Sequence, residues 1–168
     1  MLNISVVAVR IYDDCIKIAA DSIVTNEYLS KRTDGDFKKL VQVNDMIIGS
    51  VGLAEEGCLM FLFAETHEPR EASVKGMMDF LVEFLRWKQD LGSTAEIEND
   101  YLVIFDKTVF RMQGMLVHEV REYAAIGAGE DFAHAALYLG HSPKKAVKVA
   151  CDLCCIVAEP IVEFKVKL

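Results

Sequence analysis

Ser5-Val-Val-Ala-Val-Arg-Ile-Tyr-Asp-Asp-Cys-Ile-Lys-Ile-Ala-Ala-Asp21 decides how this chain is read. Two short β-branched runs, residues 4–10 and 15–21, flank the turn pair Asp13-Asp14, so the segment predicts a hairpin. Residues 37–43 and 46–50 repeat the pattern around Asn44-Asp45. The period then changes from two to three and a half. Residues 53–67 read as a helix that is apolar nearly all round, hence one buried between layers, with Pro69 beyond its end. Over residues 72–88, Val74, Met77, Met78, Leu81, Val82 and Leu85 share one helical face.

After a polar loop over residues 91–99, strands return at 101–105 and 108–112, and again at 116–120 and 124–126. A helix over 130–139 stops at Gly140, and Ser142-Pro143 supplies N-cap and first position for another reaching about residue 156. Residues 161–166 form a closing strand. Two blocks of hairpins alternating with two pairs of helices predict an α+β fold. It is a four-layer αββα sandwich, with two antiparallel sheets covered by helices on both outer faces. No linker or repeat divides residues 1–168, which read as one domain.

Composition narrows the function classes. A net charge of −8 argues against nucleic acid, whose phosphates need a basic surface. No apolar run reaches the roughly 18 residues of a membrane helix, and the first ten residues lack the layout of a secretion signal. Five cysteines, an odd number, fit free thiols in a reducing compartment, so a cytoplasmic location is expected. Cys151-Asp-Leu-Cys154 is a C-x-x-C inside an apolar helical run, where small buried residues are the plainer reading. His67, His118, His134 and His141 show no metal-ligand spacing.

In order and spacing, Ser5-Val-Val-Ala-Val-Arg10, Ile18-Ala-Ala-Asp21, Phe37-Lys-Lys39-Leu40, Ile48-Gly-Ser-Val-Gly52, Ala125-Ile-Gly-Ala-Gly129 and Cys151-Asp-Leu-Cys154 resemble proteasome-type N-terminal-nucleophile hydrolases. The likeness is greatest to the HslV-type peptidase subunit of bacterial ATP-dependent proteases and covers almost the whole chain. It implies a first residue used twice: the side-chain oxygen attacks and the free α-amine takes the proton. Ser5 stands at the nucleophile position, so residues 1–4 would be a short propeptide. Asp21 and Lys39 match the acid and lysine beside the nucleophile, and Asp152 an acid that orients its amine. Gly49 matches the glycine whose N–H helps hold the oxyanion. Val24, Val41, Ile47 and Val51 fall where the family lines its first specificity pocket, so an apolar substrate side chain is expected. The backbone carbonyls of Cys151, Cys154 and Val157 match a site for a monovalent cation such as sodium. Peptide hydrolysis itself requires no cofactor. The resemblance also implies stacked rings of the same subunit, an ATPase unfoldase ring as partner, and unfolded polypeptide as substrate.

The chain departs from the family pattern at four places. Serine replaces threonine at Ser5; Ala128 and Cys155 stand where serines are usual; Ile4 precedes the nucleophile where a small residue is usual. These departures bear on activity rather than fold, and they leave a non-catalytic, ring-forming scaffold subunit as the alternative. A small-molecule amidase of the same superfamily is the remaining class. Read singly, Ser5 is an ordinary strand serine, and Asp21 with Lys39 an ion pair at a strand end. Gly49 and Gly52 read alone as strand terminators.

Overall fold

The computed structural model describes residues 5–24 and 37–168. The expected propeptide, residues 1–4, lies outside them. Among the described residues the chain forms β1 (Val7–Ile11), β2 (Cys15–Ala20), β3 (Leu40–Val43), β4 (Met46–Val51), α1 (Ala54–Ala64) and α2 (Val74–Asp90). There follow β5 (Asp100–Phe105), β6 (Thr108–Gln113), β7 (Leu116–Glu119), β8 (Tyr123–Ile126), α3 (Glu130–Tyr138), α4 (Pro143–Leu153) and β9 (Val162–Lys167). One sheet has the order β8-β1-β2-β9 and the other β3-β4-β5-β6-β7. Every pairing recorded is antiparallel, as the hairpin-rich sequence predicts.

Strand alternation sorts the apolar residues into three layers. Val7, Val9, Ile16 and Ile18 of the first sheet meet Ile47, Val51, Leu102 and Ile104 of the second across the centre. The opposite face of the second sheet, with Met46, Ile48, Tyr101 and Phe110, is covered by Met60 and Phe63 of α1 and by Met77, Phe80 and Phe84 of α2. The outer face of the first sheet is small: Ala8, Ala19 and Ala125 pack against Ala133, Ala136, Ala146 and Ala150 of α3 and α4. The result is the αββα sandwich that the sequence predicts.

Local chemistry sets the boundaries. The side chain of Ser73 caps α2 by accepting the Gly76 N–H at 3.0 Å, and Ser142 caps α4 through the Lys145 N–H at 3.3 Å. Asp106 and Lys107, both at positive φ, make the tight turn between β5 and β6. One expectation is corrected. Helix α1 is not buried all round: Met60, Phe63 and Ala64 face the sheet, whereas Cys58 and Leu62 are exposed. It lies on an outer face, where only one stripe of a helix can reach the core.

Candidate active site

Four chain segments end together at one end of the sandwich. Ser5 precedes β1, Asp21 follows β2, Lys39 precedes β3, and β4 runs out through Gly49 to Val51. The register explains the convergence: Val7 opposes both Ala20 and Ile126, while Leu40 opposes Gly49. Ser5 is 2% exposed and Asp21 1%.

Asp21 joins the pieces. Its Oδ1 accepts the Val6 N–H at 2.8 Å, and its Oδ2 accepts the Lys39 ammonium at 2.8 Å and the Ile23 N–H at 3.2 Å. One carboxylate thus ties the peptide after Ser5 to the Lys39 side chain. The Lys39–Asp21 side chains are only 9% and 0% exposed, so this is not a solvated surface pair. Burial pulls the Lys39 ammonium below its ordinary pKa of 10.5, and the Asp21 charge opposes that fall. A lysine held in this state gives up its proton more readily than an exposed one.

The loop after β8 wraps the other side of Ser5. The Gly129 N–H donates to the Ser5 carbonyl at 3.2 Å. Gly127 sits at φ +97, and a Cβ there would lie 2.4 Å from that same carbonyl oxygen, so any other residue would push the strand end away. Ala128 between them contributes only backbone; its carbonyl accepts the Cys154 thiol at 3.9 Å.

Gly49 has a packing reason to be glycine: a Cβ would meet Val7 Cγ1 at 2.7 Å across the two sheets. Its backbone is placed otherwise than expected. The Ser50 N–H donates to the Lys39 carbonyl at 2.8 Å. Hydrogen-bonding direction alternates along an antiparallel strand, so Gly49 turns its own N–H toward β5, opposite Leu102. A donor taken up in a central ladder is not presented to an oxyanion. Asp152 is likewise corrected as a buried acid. Its side chain is 55% exposed and ion-paired with Lys148 one turn back on α4, a solvated arrangement that needs no partner in the site.

The four expected pocket residues divide. Val24 and Val41 line one cavity of about 540 Å³ together with Asp21 and Lys39. Ile47 lies at another cavity, beside Asp45 and Lys107 of the turns at the far end of the strands. Val51, 1% exposed, belongs to the core between the sheets. The reason is strand parity, since Ile47, Gly49 and Val51 all face inward. In their place, Phe37 and the β9 side chains Val162 and Phe164 line the first cavity.

Cys151 and Cys154 are half-buried free thiols where α4 ends, and Val157 is buried in the turn beyond. That turn is closed by the Val157 N–H donating to the Cys154 carbonyl at 3.3 Å. The Cys151 thiol is pushed up to about 11, first by burial and then by the Asp21 charge, which places it in the electrostatic reach of the cluster. Among the described residues no His, Cys, Asp and Glu side chains gather as a metal site. No helix among them is long and apolar enough to cross a membrane.

Sequence reasoning missed a second polar centre built from Ser50, Glu56, Lys88, Asn99 and Tyr101. A signal was present: Glu56 shares the buried stripe of α1 with Met60 and Phe63, and Lys88 that of α2 with Met77, Leu81 and Phe84. Opposite charges on two apolar stripes predict a buried pair.

No protein-family model and no curated protein sequence matches the chain. Solved structures do. BPH from Thiobacillus denitrificans, in complex with epoxomicin, superimposes with a TM-score of 0.85 at 20% identity, covering 97% of this chain and 98% of that one. Eukaryotic HslV from Trypanosoma brucei gives 0.74 at 19% identity, over 97% and 99% of the two chains. Anbu, an ancestral β-subunit from Yersinia bercovieri, gives 0.73 at 14%, over 95% and 80%. The chain therefore has the fold of the HslV-type, proteasome-like N-terminal-nucleophile hydrolases.

Proposed function

We propose that this chain is the peptidase subunit of a self-compartmentalising, proteasome-like protease, with Ser5 as its nucleophile. The observation that carries the reading is the Asp21 carboxylate shared between the Val6 N–H and the Lys39 ammonium. A fold alone does not need a nearly dry lysine tied through one carboxylate to the peptide that follows Ser5.

The chemistry runs in two stages. In maturation, Ser5 Oγ attacks the Ile4 carbonyl; the Ile4–Ser5 C–N bond breaks as an ester forms, and water hydrolyses that ester. The products are a carboxylate on Ile4 and a free amine on Ser5. In turnover, that amine takes the Ser5 hydroxyl proton as the oxygen attacks a substrate carbonyl, and Lys39 holds positive charge against the oxygen as it becomes anionic. The amine then passes the proton to the leaving nitrogen, and water releases the acyl group.

The cavity beside Asp21 and Lys39, lined by Val24, Val41 and Phe164, suits an apolar side chain before the cleaved bond. A sodium ion on the Cys151, Cys154 and Val157 carbonyls belongs to the same proposal. The Cys154 carbonyl spends one lone pair on Val157 and keeps a second for an ion. Such an ion would hold the loop and take no part in bond breaking. Stacked rings, an ATPase unfoldase and unfolded chains as substrates, in the cytoplasm, complete the reading.

A second reading, the non-catalytic ring scaffold, is favoured by the Gly49 N–H turned toward β5 and by Asp152 paired in solvent. A fluorogenic peptide ending in Leu or Tyr separates the two. The peptidase hydrolyses it, is blocked by epoxomicin, and loses activity in Ser5→Ala. Assembled wild-type rings without turnover would establish the scaffold.

A further inference from the structure

The protein buries a second ion pair away from Ser5. Lys88 Nζ donates to Glu56 Oε2 at 2.6 Å, with the side chains 1% and 3% exposed. Lys88 also donates to the Thr94 hydroxyl at 3.4 Å and to the Glu96 carbonyl. Glu56 Oε1 accepts the Asn99 N–H at 2.9 Å, the Glu98 N–H at 3.0 Å and the Tyr101 hydroxyl at 3.0 Å. A buried pair is a poor device for stability alone, because apolar residues of similar volume often serve as well. What this one does is fix Asn99.

Asn99 uses its whole amide on the segment that leaves β4. Oδ1 accepts the Leu53 N–H at 2.6 Å, and Nδ2 donates to the Leu53 carbonyl at 2.8 Å and to Ser50 Oγ at 3.0 Å. Gly52 sits at φ +127 with room for no side chain, since a Cβ would lie 2.2 Å from Asn99 Oδ1. The two Leu53 bonds brace the entry to α1, which fold maintenance explains. The Ser50 bond does something else. Ser50 is the residue whose N–H holds the Lys39 carbonyl at 2.8 Å. The path is continuous: Glu56 to Asn99, Asn99 to Ser50, Ser50 to Lys39, and Lys39 to Asp21.

We propose that Asn99, anchored by the Glu56–Lys88 pair, is a positioning residue for Lys39 and acts on it through Ser50. This rests on the reading of Lys39 given above. Asn99 touches no reacting atom; its effect is on where the Lys39 backbone, and so its ammonium, is held.

The test uses the full chain with Ser50→Ala, which deletes the bond to Asn99 and leaves the Ser50 N–H in place, beside Asn99→Ala and the conservative Ser50→Thr. The first readout needs no turnover: Lys39 is titrated by competitive acetylation with acetic anhydride across pH and read by mass spectrometry. Among the described residues Asp21 at the end of β2 and Cys151 on α4 act electrostatically on Lys39. Loosening admits water, so Lys39 in Ser50→Ala and Asn99→Ala should titrate closer to an ordinary lysine, and Ser50→Thr should restore the wild-type curve. The second readout is peptide hydrolysis, where misplacement should lower kcat about tenfold or more with KM little changed. Folded Ser50→Ala with a wild-type Lys39 curve and wild-type kcat overturns the proposal. So does a loss of stability in Asn99→Ala with Lys39 titration unmoved, since that marks a merely structural residue. If Asn99→Ala does not fold, Ser50→Ala decides. If the wild type hydrolyses nothing, the peptidase reading fails while the Lys39 titration still decides the positioning.

Discussion

Lys39 carries the most weight at the scale of single residues. Its partner Asp21 is buried, so removing Lys39 strands a carboxylate in the interior, a loss that typically costs about 3 kcal/mol or more. Lys39→Ala should therefore melt earlier in urea than wild type, fail to process at Ile4–Ser5, and lose on the order of 10²-fold in peptide turnover. A variant with wild-type stability and turnover would show the site to be elsewhere. The pH profile follows from the same pair. The attacking step needs the Ser5 amine neutral, which it becomes as pH rises through about 8. It also needs Lys39 charged, a condition lost as pH rises through a pKa that burial has lowered from 10.5. Turnover should thus be bell-shaped, with the alkaline limb beginning below that of a free lysine, and Lys39→Arg should move that limb upward.

Cys151 supplies an independent check on the local field. Only thiolate alkylates, and this thiol titrates near 11 where Cys58 and Cys155 are exposed. Iodoacetamide at about pH 8 should label Cys58 and Cys155 well before Cys151. The sign for stability is equally definite. A group whose folded pKa is raised supports the fold below its unfolded value of 9.0 and loses that support as pH climbs toward 11. Equal labelling of all three cysteines in the folded protein would contradict the field described.

Elements show why part of the site was legible and part was not. Ser5, Asp21 and Lys39 sit at strand ends, and a two-residue period together with turn pairs locates strand ends well. The pocket residues fail the same reasoning. Val24 and Val41 reach the cavity, but Ile47 and Val51 lie on the inward parity of β4, which depends on register rather than composition. Asp152 looked buried because its neighbours are apolar, yet a helix places Lys148 one turn away in solvent. The contribution of β9 is long-range, and nothing near Phe164 in the chain announces it.

The Glu56–Lys88 pair belongs to this scale as well, since it clamps α1 and α2 to the start of β5. Lys88→Met leaves Glu56 charged and buried, and should cost about 3–5 kcal/mol, whereas Glu56→Leu with Lys88→Met should recover much of that loss. Denaturant melts of the single and double variants measure the difference. Additive losses would mean that the two charges do not act as a pair.

For the whole molecule, the layered architecture was readable except at α1, whose apolar residues run nearly all round and so pointed to a place between layers rather than on an outer face. Assembly belongs to the proposal, and Leu62 on α1, Tyr138 on α3, Leu139 beyond it and Leu153 on α4 are exposed side chains that contacts between copies would cover. Light scattering should give a mass many times that of one chain, which is 18.8 kDa before processing, and a stable monomer at micromolar concentration would remove the compartment from the account.

The central claim is that Ser5 becomes a first residue and a nucleophile, and intact mass of the assembled protein tests it most directly. The account predicts that wild type ends at Ser5, shorter by Met-Leu-Asn-Ile, while Ser5→Ala and Lys39→Ala keep all four residues. Wild-type rings that retain Ile4 on Ser5 under every assembly condition would contradict it.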